Sequence, residues 1–375
     1  MPLLLPFYAL ILFTLLPTFF ANSADSALLA KKLTTFTDAI PKQRFAAKYP
    51  KTEARSGREG YVVMSFIVEP DGSTSNVLVE DSSGSKYFEK ASKRALQKWT
   101  YQPAIENGKP IQQCKNTVQL DFKMTSDNES ISRKFYSLYN RFNKALDSDA
   151  IDPQKIDILY NKISELKLQK KSEFYYKHLI ISQYYKHQGN QQKQLYYLNR
   201  ALNFSDSYSY LKQLQASVAL SAKEKQRKEL QFFPLYHQKL QLELNLEKMS
   251  DALQSANSLL LFSNNSENHT AYQKIKNQLK SLIASDKLLL VTGNIAEREF
   301  WQHKLLRNQF SFIDIQGDLT KIDLRCRNKR HVYTINNRST WNIPQSWQDC
   351  SVYVYGEDNA SFTLVQSNDT ASESI

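Results

Sequence analysis

At 375 residues the chain is too long for one small core, and about one domain per 100 to 200 residues predicts two or three. Its 41% hydrophobic and 23% charged residues exclude wholesale disorder and a multispanning membrane protein. With 49 lysines and arginines against 37 aspartates and glutamates the net charge is +12, which raises nucleic acid as a partner and must be weighed against the compartment.

Residues 1–24 carry no charged side chain, and 3–20 are almost continuously apolar, broken by Pro6 and Pro17. The run ends in Ala21-Asn22-Ser23-Ala24. Apart from an n-region without positive charge, this is the pattern of a secretory signal peptide: Pro17 ends the apolar helix, and Ala21 and Ser23 are small enough to flank a cleavage site. The competing reading is a single-pass inner-membrane anchor, since about 20 apolar residues can span a bilayer. Lys31 and Lys32 follow the apolar run and none precedes it, so the positive-inside rule does not support the anchor. The expectation is a periplasmic protein with a linker over 25–43. An exported chain meets anionic lipid headgroups before DNA. The lysine-rich stretch from Lys155 to Arg200 therefore reads as a solvated helix face, able to contact an anionic membrane surface, and no nucleic-acid partner is expected.

From Gly60 the chain reads strand, turn, strand, helix, strand. Residues 61–68 are rich in β-branched and aromatic side chains, Pro70-Asp71-Gly72-Ser73 is a turn, and 76–80 resume the extended pattern, which makes a hairpin. Residues 82–85 break the sheet and cap a helix over 86–99, with Phe88, Ala91, Ala95 and Trp99 at helical spacing. Pro103, Asn107-Gly108 and Pro110 lead back to a last strand over 117–124, whose Val118, Leu120 and Phe122 share one face.

Tyr49-Pro50, Ala54, Gly57, Glu59-Gly60, Pro70-Asp71-Gly72, Ser82-Ser83-Gly84, Lys98-Trp99, Gln102-Pro103-Ala104, Asn107-Gly108-Lys109-Pro110 and Phe122 follow one another in a familiar order. In that order and spacing, residues 44–125 resemble the C-terminal domain of the TonB family. The resemblance implies a small α/β domain, an antiparallel sheet with a packed helix. It also implies recognition of an extended peptide, the TonB box of an outer-membrane receptor, by strand addition. An exposed strand edge offers unpaired N–H and C=O groups for that purpose. The edge expected to serve is Asn116, Thr117, Val118, Gln119, Leu120, Asp121 and Phe122, with Tyr49 and Pro50 as neighbours. Gly60, Gly72, Gly84, Phe88 and Trp99 are read as turn and core residues. A transducing TonB protein also carries a long proline-rich spacer. Only Pro41 and Pro50 lie between the apolar segment and Gly57.

Residues 129–286 read as helical, punctuated near Asp152-Pro153, Gly189-Asn190, Pro234 and Asn264-Asn265. Tyr176, Leu179, Ile180 and Tyr184 before Gly189 face Leu195, Leu198, Ala201 and Leu202 after it, as in a helical hairpin, and a second pair is expected around 240–246 and 252–261. This resembles degenerate tetratricopeptide-type repeats, whose hairpins form a protein-binding groove; an irregular bundle is the alternative, and the tyrosines at 175, 176, 184, 185, 196 and 197 are read as core. Residues 287–366 switch to period two, with strands over 288–292, 310–315, 319–325, 331–335, 351–355 and 361–365. They read as a small all-β sandwich or barrel closed by a Cys326–Cys350 disulfide, with Trp341, Pro344 and Trp347 plugging the loop or stacking on a ligand. Cys114 is left as a buried small hydrophobe rather than a reactive thiol. Residues 367–375 read as a polar, disordered tail.

No catalytic motif, phosphate loop or dinucleotide fingerprint is present, and His178 and His187, nine positions apart, do not share a metal-binding face. No enzyme activity, cofactor or metal is expected. The fold class is multidomain: α/β, then all-α hairpins, then all-β. One functional reading is a periplasmic adaptor linked to TonB-dependent transport, with envelope proteins or outer-membrane receptors as partners. The other is an envelope scaffold with no transport role. An anchored energy transducer is left if the N-terminal segment is retained.

Overall fold

The structure, a computed structural model, describes residues 36–124, 131–148, 152–262, 267–296, 299–335 and 339–368. The signal segment 1–24, residues 25–35 of the linker, the break at Asn264-Asn265 and tail residues 369–375 lie outside the described residues, whereas Ser367, read as tail, pairs with Gln309 and Asn368 donates to Ser285 O at 2.8 Å.

The first unit runs β1 (Phe36–Thr37), β2 (Ile40–Gln43), α1 (Lys51–Arg55), β3 (Gly60–Val68), β4 (Thr74–Ser82), α2 (Lys86–Leu96), β5 (Thr100–Gln102), β6 (Ala104–Glu106), β7 (Lys109–Ile111) and β8 (Gln113–Phe122). Its main sheet is antiparallel in the order β4-β3-β8. The period-two pattern of β3 sends Val62, Met64, Phe66 and Val68 to one face, where they pack on Phe88 and Leu96 of α2 and on Trp99, Tyr101 and Phe122. Each large side chain buried there contributes about 1.5–3 kcal/mol. Ser85 caps α2 by accepting from the Phe88 N–H at 3.3 Å, and its hydroxyl donates to buried Glu53 at 2.7 Å. The β3–β4 turn is closed by Gly72, at φ +82°, whose N–H donates to Glu69 O. A Cβ there would stand 2.1 Å from the Tyr101 carbonyl oxygen, so glycine is required both for its φ and for the close approach.

Three boundaries differ from the expectation. Residues 36–43, read as linker, form β1 and β2, which pair with β6 and β5; strands of two and four residues are too short to show a period. The helix ends at Leu96 rather than at Trp99, because Thr100 already pairs in β5 and the Trp99 indole N–H reaches Phe45 O at 2.8 Å. The last strand spans Gln113–Phe122 rather than 117–124, since polar Gln113 and Asn116 also pair with β3.

The helical segment contains α3 (Arg133–Leu146), α4 (Pro153–Ser164), α5 (Lys171–His187), α6 (Gln191–Phe204), α7 (Ser207–Gln215), α8 (Ala222–Asn245), α9 (Met249–Phe262) and α10 (Glu267–Ala284). Asp152 and Asn190 cap α4 and α6 by accepting from the N–H groups of Lys155 and Lys193, where the sequence places its breaks. One core joins α3, α4 and α5 through Phe135, Phe142, Ile156, Leu159 and Ile180. A second joins α6 to α10 through Leu198, Phe232, Leu240, Ala256, Leu259 and Tyr272. Pro234, read as a break, lies inside the 24-residue α8. The ring frees only the Leu230 carbonyl, on a face where Leu230 is 74% exposed and open to solvent, while buried Phe232, Tyr236 and Leu240 hold the helix on its neighbours. Helix lengths from 9 to 24 residues give no fixed repeat unit.

The last unit holds β9 (Leu289–Asn294), β10 (Phe300–Lys304), β11 (Gln309–Gln316), β12 (Leu319–Arg325), β13 (Arg330–Thr334), β14 (Thr340–Asn342), β15 (Ser351–Gly356) and β16 (Ser361–Ser367). They form two antiparallel four-stranded sheets, β10-β15-β12-β13 and β14-β11-β16-β9, around a core of Phe310, Phe312, Ile322, Leu324, Val352, Val354, Phe362 and Leu364. The Cys326–Cys350 disulfide is buried in that core. Trp341 stacks on Phe310 at 5.4 Å, and Trp341 and Trp347 pack against the same core, as a plug does. Among the described residues no helix is long and apolar enough to cross a membrane.

Candidate functional site

β8 pairs with β3 on one side only, so it forms an edge of the main sheet. Along it the side chains alternate. Val118 and Leu120 are half-buried against the α2 core, and Phe122 is buried and stacks on Phe88 at 4.2 Å. Tyr49 stands edge-on to both Phe88 and Phe122 at 5.7 Å, and its hydroxyl donates to Arg58 O at 2.6 Å. Burial, reinforced by Glu59 and Glu53, pushes the Tyr49 hydroxyl up to about 12, so it stays a neutral donor. Pro50 is the N-cap of α1. The structure therefore brings Tyr49 together with Phe122 at one end of β8, in a packing role.

The other predicted edge residues meet the rest of the chain. The Thr117 carbonyl accepts from the Tyr208 hydroxyl at 3.3 Å, although the Thr117 side chain is exposed. Gln119 donates from Nε2 to Asn203 O at 2.9 Å and to Asp121 at 3.0 Å, and Asn116 donates to Gln113 O. Asp121 accepts from Lys171 Nζ at 2.5 Å, with the lysine side chain 5% exposed and the carboxylate 32%. Burial pulls the Lys171 ammonium below its usual range, and Asp121 opposes that shift. Further up the strand, the Cys114 N–H donates to Arg327 O. Cys114 is itself buried, and burial pushes its thiol up to about 12, leaving it protonated and inert.

The opposite face of the sheet is covered. Tyr61 packs edge-on against Phe204 at 4.8 Å and donates to Asp81 at 2.7 Å. Asp81 also accepts from Asn203 at 2.7 Å and from Arg200 at 3.3 Å. Glu59 joins the end of β8 to the start of α5, accepting from the N–H groups of Met124 and Lys171. From the β unit, Tyr353 donates to Glu80 at 2.7 Å, and Arg325 donates to Asn76 O while bonding Asp323. These anchors were not legible beforehand, because partners such as Asp81 and Arg200 lie 119 positions apart and follow no local period. Only Glu59, within the Glu59-Gly60 motif, carried a sequence signal.

The histidines form no site. His178 is buried with its Nδ1 2.8 Å from Phe174 O, and burial aided by Arg200 pulls it down to about 4. Among the described residues no three histidine, cysteine or acidic side chains are grouped to hold a metal.

The pattern of the family described as Gram-negative bacterial TonB protein C-terminal matches residues 46–124. Those residues form a TonB C-terminal domain. The chain is similar to Protein tonB2 of Pseudomonas aeruginosa, 33% identical over 79 residues that make up 21% of this chain and 29% of that protein. It is similar to Protein TonB of Xanthomonas campestris pv. campestris, 32% identical over 71 residues, 19% of this chain and 32% of the relative. The chain thus spans about a third or less of the length of these relatives. A solution structure of the Pseudomonas aeruginosa TonB C-terminal domain shares 26% identity, covers 24% of this chain and 92% of its own, and has a TM-score of 0.23. A tonB2 structure from Vibrio anguillarum shares 29%, covers 32% and 98%, and scores 0.20. Scores that low add nothing to the assignment, which rests on the family pattern and the two relatives.

Proposed function

We propose that the protein is an exported adaptor of a Gram-negative envelope, linked to TonB-dependent transport across the outer membrane. In this reading it takes an extended peptide of an envelope protein, such as an outer-membrane receptor, as an added strand along β8. The tetratricopeptide-like hairpins then carry a further partner, and the reaction has no catalytic step. The observation that supports it is the one-sided pairing of β8 within a TonB domain. An incoming strand would replace the Tyr208 hydroxyl at the Thr117 carbonyl with a main-chain donor, a neutral exchange of one hydrogen bond for another. A scaffold reading is favoured by a different observation: Asn203, Lys171 and Arg327 already engage Gln119, Asp121 and Cys114, as in a permanent joint between units.

Hydrogen exchange separates the two. The full chain is titrated with a synthetic peptide covering the periplasm-exposed N-terminal segment of a TonB-dependent receptor. Strand addition adds protection to amides within Gln113–Phe122 and changes little between low and high salt. Unchanged exchange at saturating peptide would leave the scaffold. Export itself is read from the N-terminal residue of the protein recovered from cells: a new terminus near Ala24 supports the adaptor, and an intact Met1 in the inner-membrane fraction supports the anchored transducer.

A further inference from the structure

Helix α9 and the end of α10 meet the β unit around a hollow of about 510 Å3. That volume lies within the range of small-molecule sites, about 300–1,000 Å3, and does not seat a folded partner. Part of its lining is apolar: Leu253 and Ile283 from the helices, and Leu305, Ile343 and the ring of Trp347 from the β unit. Arg307 lines it as well and is 5% exposed. Its guanidinium donates from Nε to Ile283 O at 2.9 Å, from Nη2 to Leu282 O at 3.2 Å and Ser285 O at 2.7 Å, and from Nη1 to Gln366 O at 3.1 Å. Those bonds use one N–H of Nε, two of Nη2 and one of Nη1, so the second N–H of Nη1 has no partner among the described residues. Every acceptor is a neutral carbonyl, and among the described residues no carboxylate forms an ion pair with Arg307. Burial pulls the guanidinium below its usual range, and Asp286 opposes that shift through space. A buried cation is ordinarily matched by an anion, and the carbonyl end of α10 supplies only about half a charge.

We infer that this hollow binds a small amphiphile with a single carboxylate on an apolar body, the chemistry of a fatty acid. Its charge decides the sign of the ligand. Lys280 adds a second cation, exposed and without an ion pair among the described residues, while the one lining carboxylate, Asp349, is held by Lys304 at 2.8 Å. Arg307 and Lys280 together outweigh the helix end, so the hollow is left net positive. The guanidinium fork is already spent on carbonyls, which denies a phosphate its two-point grip. A carboxylate needs only the remaining Arg307 N–H and the Lys280 ammonium. Asn308 stands at the same lining as a neutral group whose side chain bonds nothing else among the described residues. The apolar body of the ligand covers Leu253, Ile283, Leu305 and Ile343, removing their surface from water. A sugar could stack on Trp347 but would leave the buried guanidinium without an anion. The site lies apart from β8 and stands whether or not the adaptor reading holds.

The test is isothermal titration calorimetry of the full chain with laurate, kept below the concentration at which it forms micelles. Dodecanol, with the same tail and no charge, and dodecyl phosphate are the comparison ligands. The expected result is saturable binding of one laurate per chain, with dodecanol at least tenfold weaker because it offers no anion to Arg307. Arg307→Met would free the end of α10 and endanger folding, so the variants are Lys280→Met and Asn308→Asp, both at exposed positions. Lys280→Met weakens laurate about tenfold, and Asn308→Asp, which sets a second negative charge against the ligand, weakens it at least as much while leaving dodecanol unchanged. Circular dichroism confirms that each variant is folded. Dodecanol binding as tightly as laurate would overturn the anion, and dodecyl phosphate binding tenfold tighter would overturn the carboxylate. Laurate binding that ignores both variants would place the ligand elsewhere and overturn the site, as would no binding at all.

Discussion

Acidification should loosen the joint between the TonB domain and the helices, and His178 is the group through which it acts. This imidazole lies beside Phe204 at 5.1 Å and Tyr197 at 5.9 Å, next to the ring of Tyr61 that Phe204 holds. Burial, then the Arg200 charge, favour its neutral form and lower its pKa from 6.5 to about 4 in the folded chain. The unfolded chain therefore binds the proton first as pH falls. Stability supplied by the neutral ring is complete above about pH 6.5 and is lost progressively on the way down to about pH 4. At about 1.4 kcal/mol per pH unit the loss across that window is about 3 kcal/mol. His303 is lowered in the same direction, so the wild-type slope contains both residues, and His178→Leu isolates one of them. Leucine leaves no orphaned acceptor, because the Phe174 carbonyl is already within α5. The assay is denaturant unfolding at steps from pH 7 to pH 4, with the His178 ring titrated by NMR. A ring that titrates near 6.5, or a variant whose slope equals that of the wild type, would falsify the assignment.

Asp121→Asn removes the countercharge of buried Lys171 and should cost about 1–3 kcal/mol, less than a fully buried pair because the carboxylate is a third exposed; adding Lys171→Met should restore most of it in a double-mutant cycle. The same Asp121→Asn change lowers the Lys171 pKa further, since Asp121 is the partner that raises it, and this is measurable by NMR of the side chain. Gly72→Ala should destabilise the hairpin by several kcal/mol, about 1 from the positive φ and more from the contact with the Tyr101 carbonyl, seen as a lowered midpoint and lost exchange protection in β3 and β4. Reducing the Cys326–Cys350 bond, which closes 24 positions of chain, should lower stability by about 3 kcal/mol, monitored by unfolding with and without dithiothreitol; no change would mean that the core around Phe310 holds the loop without it.

Period and punctuation were enough for the longer strands and most of the helices, but not for the short strands at 36–37, 40–43, 300–304 and 340–342. The alternation in Val62 to Val68, the turn at Asp71-Gly72, the caps at Ser85, Asp152 and Asn190, and the paired cysteines are local signals, each acting within a few residues, and the folded chain uses them as such. The same locality explains the errors. Pro234 disrupts only one hydrogen bond, and whether that breaks a helix depends on buried neighbours such as Phe232 and Tyr236. Strands β1 and β2 have no pattern of their own and exist because β6 and β5 are there to pair with.

The candidate edge was legible as far as its residues and its sheet position. Its environment was not. That the Thr117 carbonyl meets Tyr208, that Asp121 meets a buried lysine, and that Tyr61 turns its ring to Phe204 depend on contacts between segments 50 to more than 100 positions apart. Side chains from α5, α6 and α7 pack on the sheet as spacing along one strand or helix cannot specify, because burial and hydrogen bonding act on proximity in space. Local pattern was enough to read the first unit as α/β, the second as helical and the last as β-rich; that they close on one another, and how much of β8 stays free, follows from contacts between segments distant in the chain, which no local period encodes.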